Sequence, residues 1–246
     1  MSATAPKERL DVLLVRRGLC PSREKAQRLI MAGQIFSGGT RLEKASQTFP
    51  EDVPLEVREG ERYVGRGGLK LERALHHFGI DPTGMVCLDV GASTGGFTDC
   101  LLQHGAAKVY ALDVGHGQLD WKIRSDPRVV VMEHCNARHL QPGDLPEEPR
   151  LALFDVSFIS LTLVLPPVAG LLTDGGMMVA LVKPQFELSR DEVGRGGVVR
   201  DAAAHTRAVE KIRDFSADRG WTWDGVTDSP ITGADGNCEF LCLIRP

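Results

Sequence analysis

The 246-residue sequence predicts an α/β protein, a mostly parallel, doubly wound sheet with a small basic module ahead of it. Three observations carry that prediction. From about residue 84, short apolar runs that end in polar residues alternate with helical segments, which is the pattern of repeated βαβ units. The first of those runs leads into a glycine-rich turn, GASTGG at 91–96, where open α/β sheets bind their ligands. Basic residues crowd the start: residues 1–44 hold nine Lys/Arg against four acids, net +5, so the −4 of the whole chain leaves −9 for the rest.

In the first module, ERLDVLLVRRG places Leu10, Leu13 and Leu14 at helical spacing, with Gly18 as the stop. A second helix follows in PSREKAQRLIMAG, with Ser22 as N-cap, Glu24 in the first turn, Gly33 at the C-terminal end, and Ala26, Leu29 and Ile30 as its buried stripe. QIFSGGTRLEK reads as two short strands around Ser-Gly-Gly. PEDVPLEVREGERY reads as a last strand and a linker. The expected organisation is a module over 1–58, a linker with a lead-in helix over 59–83, and the sheet domain over 84–246.

In the second part, GMVCLDVGAS, KVYALDVG, VVVMEHCNA, LALFDVSF and GGMMVALVKPQF read as five strands. GGFTDCLLQHG is a helix with Phe97, Leu101 and Leu102 inward, ISLTLVLPPVAGLL is a helical segment, and RDAAAHTRAVEKIRDFSADRG is a long helix. WTWDGVTDSPI and NCEFLCLIRP are expected as two closing strands with a tight connection, Cys238 and Cys242 on one strand face.

Composition is that of a globular domain, with 42% hydrophobic and 25% charged residues. The longest apolar stretch, residues 159–172, is broken by Pro166 and Pro167, so no span is expected. Charged residues at 7–11 argue against a signal peptide, and six cysteines without CxxC or Cys/His spacing read as reduced thiols of a cytoplasmic protein. No cluster proposes a metal.

The turn is neither of two common phosphate cradles. Its G-x-x-x-G-G spacing fails the dinucleotide fingerprint, and no Lys-Ser/Thr follows as in a P-loop. Asp89, at the end of the first strand, can take an amino group or organise the loop. Asp113, at the end of the second, can accept both hydroxyls of an adenosine ribose. Cys135-Asn136-Ala137 end the third strand near where an adenine would lie. Asp155 and Lys183 end the fourth and fifth, and a lysine closing a run of six apolar residues is costly unless it is paired or functional. Lys70, at a helix start, and Glu239, between apolar neighbours, are further candidates.

Four resemblances follow from these residues. RLDVLLVRRGLCPSREKAQRLIMAGQIFSGG resembles the alpha-L RNA-binding domain, which implies RNA backbone contacts for Arg9, Arg16, Arg17, Arg23, Lys25 and Arg28. The strand-end constellation resembles the S-adenosyl-L-methionine site of class I, Rossmann-like methyltransferases. That resemblance implies Gly91 and Gly95 on the methionine side, Asp113 on the ribose and Asn136 by the adenine. Asp89, Ala92, Ser93, Gly96, Phe97, Val114, Ala137 and Asp155 would complete the cofactor's surroundings. The order Lys70, Asp155, Lys183, Glu239 resembles the catalytic tetrad of FtsJ-like ribose 2′-O-methyltransferases. With the alpha-L module, and with YVGRGGLKL, LDVGASTGGFTD, VKPQFE and VGRGGVVRD, the whole chain resembles the haemolysin-A-like (TlyA) family. The resemblance implies methylation of cytidine 2′-hydroxyls in ribosomal RNA, on naked RNA or on subunits, with Tyr63 standing where the family usually has tryptophan.

A free lysine titrates near 10.4, too high for a base at neutral pH, and burial and a second ammonium both lower it. Lys183 is therefore expected as base or hydroxyl-orienting group, with Lys70 beside it and the two acids as orienters. VGRGG occurs at 64–68 and 193–197. Either both copies are rims of one RNA groove, with Arg66 and Arg195 on phosphates and glycines admitting the phosphodiester chain, or they are glycine turns with solvated arginines. Two other functions compete: a non-catalytic RNA-binding assembly factor, and a membrane-lytic protein, for which no amphipathic or spanning helix is evident.

Overall fold

A computed structural model describes residues 7–58, 62–194 and 196–246, in two compact units, 1–62 and 63–246. Arg195 and residues 59–61 of the expected linker lie outside the described residues.

The first unit runs β1 (Lys7–Arg9), α1 (Leu10–Arg16), α2 (Arg23–Met31), β2 (Ile35–Ser37), β3 (Thr40–Arg41), β4 (Thr48–Pro50) and β5 (Glu56–Val57). Ser22 caps α2, its Oγ accepting Lys25 N at 3.2 Å. Gly38 and Gly39 turn β2 into β3 with φ of 54° and 82°, the double left-handed geometry that suits a two-residue hairpin. The strand at 7–9, which pairs antiparallel with β4, has no sequence signal, because three charged residues spell it. Leu10, Leu14, Ala26, Ile30 and Ile35 form the small core.

The second unit begins with α3 (Gly67–Phe78), which carries Lys70. It continues with β6 (Val86–Val90), α4 (Gly96–Gln103), β7 (Lys108–Leu112), α5 (Trp121–Arg124), β8 (Val129–Met132), β9 (Leu151–Phe154), α6 (Leu165–Ala169), β10 (Met177–Val182), α7 (Pro184–Glu187), α8 (Ala202–Ala217), β11 (Thr222–Asp228) and β12 (Phe240–Arg245). Strand order is β11-β12-β10-β9-β6-β7-β8, with β8 to β10 parallel and β12 antiparallel to both neighbours. The order reverses between β6 and β9, and that switch point opens a crevice at the C-terminal ends of the parallel strands.

The strands read as unbroken apolar runs because both faces are covered. Along β10, Met177, Val179 and Leu181 join the cluster under α3 and α4, while Met178, Ala180 and Val182 join the one under α6 and α8. Three local expectations change. The segment 159–172 splits into a short 3-10 turn at Leu161–Leu163 and the five-residue α6. The connection between β11 and β12 is a long loop over 229–239, not a tight turn. Cys238 lies in that loop, exposed, while Cys242 is buried on β12, so the two do not share a strand face.

Candidate active site

Each parallel strand delivers its polar residue to the same edge of the sheet: Asp89 and Gly91 by β6, Asp113 by β7, Asn136 beyond β8, Asp155 by β9 and Lys183 by β10. Glu239 joins them because β12 runs the other way. Its first residue, Phe240, pairs with Val182, the last of β10, so the residue before it sits at the same edge. Lys70 arrives from α3.

Two adjoining cavities occupy the crevice. The larger, about 480 Å³, is lined by Gly91, Asp113, Val114, Gln118, Asn136 and Ala137 among others. The smaller, about 360 Å³, holds Lys70, Asp155, Lys183 and Glu239 together with Ala92, Gly96 and Phe97. Gly91, Ser93, Asp155, Ser157 and Phe158 line both.

The four charged residues form two ion pairs. Lys183 Nζ lies 2.7 Å from Asp155 Oδ1 and donates to Ser157 Oγ at 2.9 Å. Lys70 Nζ lies 2.6 Å from Glu239 Oε2. Both lysine side chains are about nine-tenths buried, at 9% and 10% exposure. Each ammonium thus has its own carboxylate, where the sequence reading set Lys70 directly against Lys183.

Around the turn, Gly91 holds φ of 90°, and a Cβ there would sit 2.6 Å from the Asp155 carbonyl oxygen, which no side chain allows. Asp113 Oδ2 accepts Ser93 N at 2.9 Å and Oδ1 accepts Gly115 N at 2.7 Å, so the loop holds the carboxylate at the cavity wall. A carboxylate with lone pairs to spare, an asparagine beyond it and a bare backbone at Gly91 fit a nucleoside with a short tail. Two of the expected cofactor residues do not line either cavity. Gly95, with φ of 96°, packs against Leu119 and Ile123. Asp89 is wholly buried and accepts Thr98 Oγ1 at 2.6 Å, which leaves it the loop-organising role of the two open to it. Burial pushes its carboxyl up to about 7, against the lowering effect of the Thr98 bond.

The first VGRGG is part of this architecture. Cβ atoms at Gly65 and Gly68 would come within 2.6 Å of Thr94 Oγ1 and 2.2 Å of the Tyr63 ring, and one at Gly96 would meet Gly68 N at 3.0 Å. These glycines admit the chain's own cofactor loop, not a phosphodiester backbone. Arg66 is exposed, and its Nη2 donates to Thr232 O at 3.2 Å. In the second copy, Gly196 and Gly197 turn at φ of 83° and 77°, and Asn237 Nδ2 pins Gly197 O at 2.9 Å. The two copies are different structures.

In the first unit, Arg9 and Arg23 converge on Asp11, which is fully buried and also accepts Gln27. The Arg9 bond above all holds the Asp11 carboxyl well below the usual carboxylate range, against its burial. Arg16 bridges Glu8 and Glu51, Arg17 donates to the carbonyls of Glu51 and Val53, and Arg28 lies 3.6 Å from Glu24. Lys25 is exposed. Much of the basic charge is thus engaged within the module, each guanidinium keeping other N–H groups for a partner.

Ser157, Phe158 and Gln118 have no sequence signal beyond their proximity to Asp155 and Asp113. Phe158 stands out only in three dimensions: it is 90% exposed, at φ of 63° and 5.1 Å from the Phe186 ring.

Residues 63–245 match the FtsJ-like methyltransferase family and residues 8–52 the S4 domain. A Mycobacterium tuberculosis protein named 16S/23S rRNA (cytidine-2′-O)-methyltransferase TlyA is 45% identical over 98% of this chain and 91% of its own. A Brachyspira hyodysenteriae protein named Hemolysin A is 43% identical over 95% of this chain and 98% of its own. The solved structure of a hemolysin-named protein from Streptococcus thermophilus superposes with a TM-score of 0.74 at 47% identity, covering 98% of this chain and 89% of that one. With its Rossmann-like class I sheet and its N-terminal S4 module, the chain belongs to the FtsJ-like methyltransferase family.

Proposed function

We propose that this protein transfers the methyl group of S-adenosyl-L-methionine to ribose 2′-hydroxyls of ribosomal RNA, at cytidine. One observation carries the reading: two buried Lys–carboxylate pairs share a cavity that opens directly onto the cofactor-shaped one. The relatives' printed activity fits that geometry.

Asp113 would take the ribose of the cofactor, Asn136 and Ala137 the adenine edge, and Gly91 the methionine tail. Bound there, the cofactor supplies a sulfonium methyl, already a good electrophile. A ribose hydroxyl is a poor nucleophile, so the protein's task is to align its oxygen with that methyl and to take its proton. Lys183 faces the cavity from the end of β10 and receives or orients the hydroxyl proton. Asp155 holds Lys183 in place and balances its positive charge. Lys70 and Glu239 line the same cavity, where an ammonium can grip a ribose or phosphate oxygen while its carboxylate keeps the pair neutral. Phe158, exposed at the rim, offers a face on which a base can stack. The N-terminal module would anchor phosphates through Arg9, Arg16, Arg17, Arg23, Lys25 and Arg28, and Arg66 and Arg195 would add phosphate contacts of their own, so binding weakens with salt. Such a substrate places the protein with ribosomes in the cytoplasm. Among the described residues no helix is long and apolar enough to cross a membrane.

The test is label transfer from methyl-tritiated cofactor to rRNA and to ribosomal subunits, with mapping of 2′-O-methyl marks. Wild-type protein is expected to mark cytidine riboses, and K183A to bind cofactor without transferring label. Label on a base instead of a ribose, or full transfer by K183A, overturns the reading.

A further inference from the structure

We propose that Ser157 is a positioning residue for Lys183, one that aims its amine at the substrate hydroxyl. The inference rests on the function proposed above. It starts from the two acceptors on Lys183 Nζ: Asp155 Oδ1 at 2.7 Å and Ser157 Oγ at 2.9 Å. Both come from one short segment at the end of β9, two residues apart, and both line the cavities.

The Nζ of a lysine is tetrahedral: besides the Cε bond and two N–H groups it has one further direction, which holds the third N–H of the ammonium or, once that proton has left, a lone pair. With one acceptor, more than one staggered arrangement puts an N–H on it, so the remaining direction has alternatives. Two acceptors remove that choice. With Asp155 and Ser157 each taking one N–H, the lone pair has a single remaining direction. When the hydroxyl oxygen forms its bond to the methyl carbon and the carbon–sulfur bond breaks, the proton passes along that direction to Nζ. The ammonium so formed has three N–H groups: one on Asp155, one on Ser157 and one on the newly methylated oxygen. No hydrogen bond has to break during the step, which is the condition for a preorganised site.

The segment is held for this purpose from its far side. Glu187, buried on α7 four residues after Lys183, accepts Ser160 Oγ at 2.6 Å and Leu161 N at 2.8 Å, and pairs with Lys211 of α8 at 3.0 Å. The short element that follows Lys183 thus also ties down the chain just beyond Ser157. Ser157 itself is exposed, so its hydroxyl serves no packing role. It stands at the outer side of a buried ammonium and gives the collected proton a path to solvent after each turnover.

The experiment compares wild type, S157A and S157T in steady-state methylation of rRNA, with cofactor affinity by calorimetry and Tm by thermal unfolding. Losing one hydrogen bond to a charged partner predicts a fall of about tenfold to a hundredfold in kcat for S157A. Tm is expected to stay within a degree or two, because Ser157 is exposed and packs against no core, and KM for RNA and Kd for the cofactor are expected to change by much less than kcat does. S157T, which keeps a hydroxyl, is expected to recover most of kcat. Unchanged kcat in S157A, a loss confined to KM, or an S157T as slow as S157A each overturns the proposal. A wild-type protein that places no label on rRNA ribose overturns the function above instead, so the two failures are distinguishable.

Discussion

Lys70 and Glu239 meet at 2.6 Å with both side chains largely buried, although one opens the second unit and the other belongs to its last loop. Removing one partner strands a largely buried charge, which costs roughly 3–5 kcal/mol, whereas replacing both by apolar residues of similar size is often neutral. E239L is therefore expected to lower stability by that amount and to abolish methyl transfer. K70M/E239L is expected to regain most of the stability and none of the activity. Denaturant unfolding beside label transfer checks this, and an active double variant would show the pair to be scaffolding only.

Asp89 predicts a pH effect on stability. Its carboxyl rises from an ordinary 3.8 to about 7 because it is buried. Between those values the folded state holds a proton that the unfolded state has lost, so this group's contribution falls as pH rises. The displacement corresponds to about 4 kcal/mol over that range. D89N cannot titrate. Relative to D89N, the wild type is expected to lose stability between about pH 4 and about pH 8, read from unfolding curves at several pH values. Parallel pH profiles for the two proteins would contradict the burial of an ionisable Asp89.

Asp11 predicts the opposite sign. Its carboxyl is held low by Arg9, with Gln27 and Arg23 beside it, so its contribution is present above about pH 4 and is lost as pH falls. D11N is expected to destabilise the N-terminal module by roughly 2–4 kcal/mol, since two guanidiniums lose their buried partner. Hydrogen exchange resolved by residue would show faster exchange over 7–58 and unchanged protection in β6, β9 and β10.

The two VGRGG copies predict contrasting alanine variants. At Gly68 a methyl group would fall 2.2 Å from the Tyr63 ring, and overpacking of this kind costs about 1–3 kcal/mol. At Gly197 there is open space, and only the positive φ is strained, worth about 1 kcal/mol. G68A is expected to lower Tm more and to weaken cofactor binding, because the displaced segment rests on the Gly96 turn. G197A is expected to bind cofactor as wild type does. Equal effects of the two would argue against the packing described.

What was legible in the sequence was whatever a strand imposes on its own residues. β6, β7, β9 and β10 showed as apolar runs because both faces are covered, and Asp113, Asp155 and Lys183 showed because a polar residue ending such a run is costly inside a protein. Which lysine meets which carboxylate was not legible, because that depends on β12 running antiparallel and on a loop read as a tight turn. Ser157 escaped for a related reason: a serine after a strand is commonplace, and only the reach of Lys183 across from the neighbouring strand gives it a partner. The arginines of the first module read as free charge, since nothing in the string shows Asp11 buried between two of them. The GRGG glycines read as room for RNA when their neighbour is the chain's own turn.

β12 is synthesised after β11 yet lies between β11 and β10. During translation, then, β10 emerges with its outer edge bare, and Lys183 and Asp155 are in place before Glu239 exists. A nascent chain stalled in that interval would carry an uncapped edge strand beside an ammonium at Lys70 with no counter-charge. Insertion of the final strand covers the one and neutralises the other in a single event.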